Sequence, residues 1–126
     1  IASCLVGSEM CIRDSGWEAW KTMPHERQRL IDLIDTSSSD SVLFISGDRH
    51  RGGLYQLTSS SGKNIVEMTS SSLNLSFTND EEAGPLRVGP TFVQENYGEI
   101  LLDKLSNELT VNLKDNQGRI IQSVDI

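Results

Sequence analysis

The segment Ser46–His50, which reads SGDRH, places a carboxylate and an imidazole two residues apart, directly after an apolar run. Asp48 and His50 are both ligand types for divalent cations. Two-metal hydrolytic centres use such ligands to activate a water and to neutralise the oxygens of a phosphoryl group. With one intervening residue on an irregular segment, both side chains can point to the same side of the backbone. Arg49 would then point toward the rim or a packed carboxylate.

A simpler interpretation of the same residues is a structural turn. Aspartate after glycine at the end of a strand is a common turn former, and a single histidine more often has a structural role than a catalytic one. The chain has one other histidine, His25, which we expect to be exposed in the first turn of a helix and not to be a ligand. From these residues alone, both interpretations stay open.

The apolar run before the motif, Val42–Ile45 (VLFI), predicts the strand that positions it. Such a run, short and rich in β-formers, is typical of a strand covered on both faces inside a layered α/β protein. Gly47 then ends the strand. Because sites in such sheets lie outside the carboxyl ends of the strands, we expect Asp48 and His50 at that edge.

A helix is predicted before this strand, over TMPHERQRLIDLID. Thr22 is the expected N-cap, Pro24 suits the first turn, and Glu26 lies near the positive end of the helix dipole. An apolar stripe near helical spacing is formed by Leu30, Ile31, Leu33 and Ile34. The polar segment Thr36–Ser41 ends the helix.

The residues after the motif predict mostly antiparallel strands. GGLYQLTS and IVEMTS are separated by a turn, a long loop is expected from Ser70 to about Pro90, and NYGEILLDK, ELTVNLKD and RIIQSVDI form a β-meander. In the meander, Thr110, Asn112 and Lys114 alternate with apolar residues, which predicts one solvated face. The expected fold class is therefore a mixed α/β (α+β) arrangement, with one helix, a buried strand and the meander.

Composition limits the classes of partner. The chain has 126 residues, 37% of them hydrophobic and 23% charged, which fits one globular domain. Its net charge of −7 argues against nucleic acid or an anionic membrane as a partner. No apolar stretch approaches the roughly 20 residues that span a bilayer. Composition and charge do not indicate an oligomeric state.

The N-terminal stretch Cys4–Ser15 (CLVGSEMCIRDS) resembles the translation of a transposase adapter ligated to fragments in shotgun sequencing libraries. We therefore expect residues 1–15 not to be native, and we exclude them from fold reasoning. Residues 16–126 contain no cysteine. On this interpretation, Cys4 and Cys11 form neither a redox pair nor a metal site.

Residues 16–126 resemble the C-terminal third of alkaline phosphatase D-like enzymes, which belong to the calcineurin-like metallophosphoesterases. The segments that carry the resemblance are GWEAW, PHERQRLIDLI, VLFISGDRH, TSSSLN, GPLRVG and NYG. The wider superfamily has Gly-His-X-His where this branch has Gly-Asp-X-His. The resemblance implies that Asp48 and His50 are metal ligands.

The same resemblance implies a four-layer αββα sandwich that holds two metal ions and hydrolyses small phosphate esters. Branches of the family use iron, calcium, manganese or zinc. In the superfamily, separate Asp-X-His and Gly-Asn-His motifs earlier in the chain supply most other ligands. Here Gly-Asn-His does not occur, and the Asp-X-His triplet that does occur is Asp48–His50 itself. We therefore expect residues 16–126 alone to be inactive. The resemblance also suggests an exported or cell-surface enzyme.

Four further residues are candidates for the rim of the substrate site. Trp17 and Trp20 precede the helix, where a large aromatic is at least as often a packing anchor. Arg87 could bind a phosphate bidentately, although a surface arginine is the simpler interpretation. Asn74 follows a predicted strand end, where ordinary loop hydrogen bonding is its alternative role.

Two other classes of function remain open from the sequence. The chain could be a non-catalytic β-rich binding or interaction domain in which SGDRH is a turn. It could also belong to a dinuclear metallo-hydrolase that acts on another class of ester, because a dinuclear site alone does not fix the substrate.

Overall fold

The computed structural model describes residues 2–6, 20–76 and 84–126. Their helical elements are a 3-10 turn at Trp20–Thr22 and the helix α1 at Pro24–Thr36. The strands are β1 (Ala2–Val6), β2 (Ser41–Ser46), β3 (Gly52–Thr58), β4 (Asn64–Ser70), β5 (Arg87–Phe92), β6 (Asn96–Asp103), β7 (Glu108–Asp115) and β8 (Ile120–Asp125). The predicted α+β class is confirmed, because in the described chain α1 is followed by seven strands in two sheets.

The first sheet combines parallel and antiparallel pairing in the order β2-β4-β3-β5. β2 runs parallel to β4, with registers from Ser41↔Asn64 to Ser46↔Thr69. β3 is antiparallel to both β4 and β5. Because β2 and β4 run in the same direction, both strands end at the same edge of the sheet, as the position of the SGDRH motif requires.

The first sheet is buried on both faces, as the apolar run of β2 predicts. On one face, Ile34 of α1 packs against Val42, Phe44 and Ile65. On the other face, a single core joins the two sheets through Leu43, Leu54, Val66, Met68, Val111 and Leu113. The described chain therefore has three layers, α1 and two sheets, and the fourth layer that the resemblance implies stays an expectation.

The start of α1 differs from the prediction. The N-cap is Met23, without a side-chain cap hydrogen bond, and Thr22 belongs to the preceding 3-10 turn. Pro24 occupies the first helical turn as expected, since its missing N–H has no partner to lose there. Of the predicted apolar stripe, Ile34 is buried, whereas Leu33 is exposed because it lies on the solvent side of the helix.

The predicted long loop from Ser70 to Pro90 is interrupted by β5, which pairs with β3. Residues 77–83 of that loop lie outside the described part of the chain. The sequence of β5, RVGPTF, contains Gly89 and Pro90 and lacks a clear alternation of polar and apolar residues. The sequence pattern therefore does not reveal the strand, which forms by pairing with the edge of β3.

The meander β6-β7-β8 is antiparallel throughout, as predicted. Its outer face is less solvated than expected, since Asn112 is only 2% exposed. Asn112 donates to Glu99 and accepts from Ser123, while Lys114 donates to Glu99 at 2.6 Å. Hydrogen bonds from Lys114 and Asn112 lower the pKa of Glu99. Partners on the neighbouring strands therefore bury Asn112, which the alternation of polar and apolar residues along β7 predicts to be exposed to solvent.

Strand β1 pairs in parallel with the outer edge of β2, from Ala2↔Ser41 to Val6↔Ile45. Backbone pairing at an open sheet edge accepts extended chain of many sequences. The adapter interpretation of residues 1–15 therefore stays a prediction, and Cys11 lies outside the described residues. In the described chain, no helix has the length and apolar character needed to cross a bilayer.

The core between the two sheets gives a first test of this architecture. Leu113 is 0% exposed and Leu105 is 99% exposed. Leu113→Ala should lower the free energy of unfolding by about 2–5 kcal/mol, because it leaves a cavity between the sheets. Leu105→Ala makes the same chemical change in solvent and should cost less than about 0.5 kcal/mol. Urea denaturation measures both, and equal effects would contradict the packing described here.

Asp35 connects the end of α1 to the turn between β3 and β4. Its carboxylate accepts hydrogen bonds from Ser60 and Ser61, each at 2.6 Å. Hydrogen bonds from the hydroxyls of Ser59, Ser60 and Ser61 lower the pKa of Asp35 from 3.8 to about 2. The serine run Ser59–Ser61 therefore anchors the β3–β4 hairpin to the helix.

A pH dependence follows from this lowered pKa. Because the folded state favours the ionised carboxylate, the stabilisation is complete above the ordinary pKa of 3.8 and is lost as the pH falls toward about 2. Asp35→Asn should therefore flatten the acid side of the stability curve measured by urea denaturation. The pair Ser60→Ala and Ser61→Ala should raise the pKa of Asp35 in an NMR titration. A wild-type Asp35 that titrates at its ordinary value would contradict this account.

Candidate metal-binding loop

The loop Gly47–Arg51 leaves the first sheet at the edge where β2 and β4 both end. Ser46, the last residue of β2, is in register with Thr69 of β4. The SGDRH loop and the segment after β4, residues 71–75, therefore emerge side by side. Asp48 is exposed and His50 is half-buried at this edge, where the sequence predicted them.

The backbone of the loop turns twice through the left-handed region. Asp48 has φ 62° and His50 has φ 52°. Aspartate and histidine adopt this region more readily than most residues, yet each such position costs on the order of 1–3 kcal/mol. Conformations of this kind persist where the surrounding structure holds them, and they are concentrated at functional sites.

Ser71, which follows β4, bonds to the loop on both sides of His50. The backbone N–H of Arg49 donates to Ser71 Oγ at 3.0 Å, and Ser71 Oγ donates to the carbonyl of Arg51 at 3.3 Å. One hydroxyl thus bridges the two residues that flank the imidazole. This contact comes from the serine run Ser70–Ser72 of the TSSSLN segment.

The imidazole of His50 is oriented by a backbone carbonyl. His50 Nδ1 lies 3.0 Å from the carbonyl oxygen of Leu75. Because a carbonyl can only accept, Nδ1 carries the proton, and Nε2 of the neutral ring keeps its lone pair. Metal-binding histidines have this same arrangement, in which the second ring nitrogen donates to a carboxylate or a backbone carbonyl.

A buried polar cluster lies under the loop at the ends of β2 and β4. Glu67 is 1% exposed, and its Oε1 accepts from Ser46 Oγ at 2.6 Å and from Thr69 Oγ1 at 3.3 Å. The hydroxyls of Ser46 and Thr69 are 2.6 Å apart. Because burying a carboxylate is costly unless it is hydrogen-bonded, this cluster favours one arrangement of the two strand ends.

Asn96, from the NYG segment, connects the end of β4 to the meander. Its side-chain oxygen accepts from Ser70 Oγ at 2.9 Å, and its N–H donates to the carbonyl of Ser72 at 2.8 Å. The side chain also donates to the carbonyl of Gln94 at 2.7 Å. The neighbouring Tyr97 is 39% exposed because it projects from the outer face of β6.

Two guanidinium groups accompany the loop. Arg51 is buried and Arg49 is half-buried. Burial lowers the pKa of Arg51, and repulsion from Arg49 lowers it further. The loop therefore contains two basic side chains close to each other in a chain whose net charge is −7.

The candidate rim residues have different positions. Asn74 is exposed and precedes Leu75, whose carbonyl holds His50, so that the structure brings Asn74 to the loop. Trp20 is half-buried in the turn before α1. Arg87 begins β5 in register with Tyr55, about 10 Å along β3 from Gly52, and so does not lie on a long loop. Trp17 lies outside the described residues.

Within the described ranges, no group of three or more His, Cys, Asp or Glu side chains could hold a metal ion. Asp48 and His50 therefore form a pair of ligand types at one edge of the sheet. Comparison with models of known families gives no match to this chain, and comparison with curated proteins gives none either.

The orientation of His50 gives a direct test of the loop. In the neutral form of the ring, long-range ¹H–¹⁵N correlation spectra should show the ring proton of His50 on Nδ1. His25, which is exposed in the first turn of α1, provides a reference within the same spectrum. A ring proton on Nε2 of His50 would contradict its bond to the Leu75 carbonyl and would remove the lone pair that a metal needs.

Proposed function

We propose that Asp48 and His50 are two ligands of a dinuclear metal centre that hydrolyses phosphate esters, with the remaining ligands supplied from outside the described residues. The observation that carries the proposal is the bond from His50 Nδ1 to the Leu75 carbonyl. It holds the His50 ring on a loop where an exposed carboxylate, that of Asp48, lies two residues away.

The donor set fits the expected ions. A carboxylate oxygen and an imidazole nitrogen suit manganese, iron and zinc, and the carboxylate also suits calcium. Neither candidate ligand is a sulfur, so the pair carries no preference for the softest metals. This fit extends to two ligands and leaves the identity of the ions open among these four.

Each residue of the loop has a separate task in such a centre. The bound cations would supply Lewis-acid activation of a water and neutralisation of the phosphoryl oxygens. The Leu75 carbonyl holds the ring of His50 in its binding tautomer, and Asp48 contributes the negative charge that attracts a cation. Arg49 and Arg51 add positive charge that favours an anionic ester over a neutral one. Asn74, which is exposed and precedes Leu75, would donate or accept hydrogen bonds at the rim.

The resemblance of residues 16–126 to alkaline phosphatase D-like enzymes supports the same proposal. Its most specific segments, SGDRH, TSSSLN and NYG, are far apart in sequence. In the fold they are joined by Ser71 and Asn96 through the hydrogen bonds described above. A turn without further function would not require these three segments to meet.

The assay needs more chain than residues 16–126, because the proposal requires further ligands. In the longest open reading frame that carries these residues, Asp48→Asn and His50→Ala should each lower metal content and phosphate release together. The loss should be at least the roughly 10- to 100-fold that removal of an outer-shell partner causes. His25→Ala, which changes an exposed histidine, should leave both quantities unchanged.

Three results distinguish the proposal from its alternatives. Unchanged metal content and turnover in both ligand variants would refute the assignment and favour a turn in a non-catalytic β-rich domain. Loss of metal together with retained cleavage of a different ester would favour a metallo-hydrolase of another class. Parallel loss of metal and phosphate release would support the phosphoesterase.

A further inference from the structure

We propose that Ser71 is a positioning residue for the ligand pair, since its hydroxyl fixes the backbone on both sides of His50. This inference rests on the proposed function, because it concerns how the two ligands of that centre are held. It assigns a role to the TSSSLN segment that its residue types do not indicate, since a serine after a strand reads as an ordinary loop residue.

The geometry gives Ser71 a double contact with the loop. Its oxygen accepts from the N–H of Arg49 at 3.0 Å and donates to the carbonyl of Arg51 at 3.3 Å. A hydroxyl can accept and donate at the same time, a property that threonine shares and alanine lacks. The contact therefore closes a small ring of hydrogen bonds around His50.

The loop requires such a contact because Asp48 and His50 both have left-handed backbone conformations. Without an external hold, these residues have more favourable conformations available, and the separation of the two ligand side chains would vary. Metal ligands must be held to within about 0.5 Å and 10–20° of their working geometry. Ser71 restrains the backbone at Arg49, between the two ligands, and at Arg51, directly after His50.

Ser71 is itself held by structure that does not belong to the loop. β4 precedes it in a register fixed by β2, and the carbonyl of the next residue, Ser72, accepts from the N–H of Asn96 at 2.8 Å. Because its own segment is fixed to the sheet, Ser71 can hold the loop in a fixed position relative to the sheet.

The neighbouring serines have other environments, which provides a matched control. Ser70 Oγ donates to the side chain of Asn96. Ser72 is 0% exposed, and its hydroxyl has no hydrogen-bond partner among the described residues. Ser72→Ala therefore removes the same group one position away without removing a bond to the loop.

The first experiment measures metal affinity in the open reading frame used above, stripped of metal and titrated with Mn²⁺. The free ion is followed by its electron paramagnetic resonance signal. Ser71→Ala should raise the Kd for Mn²⁺ about tenfold, at the lower end of the range for outer-shell partners of metal ligands. Ser71→Thr and Ser72→Ala should keep the wild-type Kd. His50→Ala, measured alongside, should show a larger loss than Ser71→Ala.

The results separate this inference from the proposed function. If His50→Ala keeps the wild-type affinity, the proposed function fails, and the positioning role fails with it. If His50→Ala loses affinity while Ser71→Ala does not, the positioning role alone is overturned. A Kd that is raised in Ser71→Ala and restored in Ser71→Thr supports the inference.

A second experiment needs no metal and guards against a general loss of structure. In the 126-residue chain, Ser71→Ala should speed amide hydrogen exchange at Arg49, because its N–H loses the acceptor at 3.0 Å. Exchange at core positions of β2 and β4 and the thermal midpoint should match those of Ser72→Ala. Faster exchange throughout the sheet would show a structural role and overturn the assignment, as would unchanged exchange at Arg49.

Discussion

The parallel pairing of β2 with β4 is the constraint on which the rest of the candidate site depends. In this register Ser46 lies opposite Thr69, so the two chains leave the sheet as neighbours. A shift of one residue would turn Phe44 and Val66, both 0% exposed, toward the wrong faces of a sheet that is buried on both sides. Hydrophobic burial far from the loop therefore determines which residue of the segment after β4 meets Arg49.

Polar contacts further fix the ends of β2 and β4, which the register brings side by side. Glu67, Ser46 and Thr69 form a buried cluster whose hydrogen bonds would be lost if either strand end moved. On the other side of β4, Asn96 ties the residues after Thr69 to the start of the meander. The loop thus stands on two independent attachments, one within the first sheet and one between the sheets, while its own backbone is strained. The hydrogen bonds of these two attachments stabilise the strand ends and help to maintain the unfavourable backbone conformations of Asp48 and His50.

The sequence predicts the elements of this fold better than the contacts that complete the site. The run VLFI, the turn between β3 and β4, and the alternation in β7 each predict their element because burial and turn chemistry act locally. Strand β5 was missed because Gly89 and Pro90 obscure its pattern and its pairing is decided by β3. The burial of Asn112 depends on Glu99 and Ser123 across two strand pairs.

The candidate site likewise contains residues that the sequence predicts and groups that only the structure reveals. Asp48 and His50 were identified because their residue types and spacing are visible in the sequence. Ser71 and the Leu75 carbonyl were not, since a serine in a polar run and a backbone carbonyl carry no distinguishing signal. Their roles arise from the strand register and from a chain reversal that brings residue 75 back to residue 50. Local patterns can suggest candidate ligands, whereas the groups that would orient them are found only in the fold.

Under the proposed function, charge balance requires more ligands than Asp48 and His50. Asp48 contributes one negative charge and the neutral imidazole of His50 contributes none. One carboxylate offsets little of the repulsion between two divalent cations. Further carboxylates are therefore required before two cations can be held. In the proposed centre, those carboxylates would neutralise the metal charge, and the two arginines of the loop would add positive potential that favours an anionic substrate.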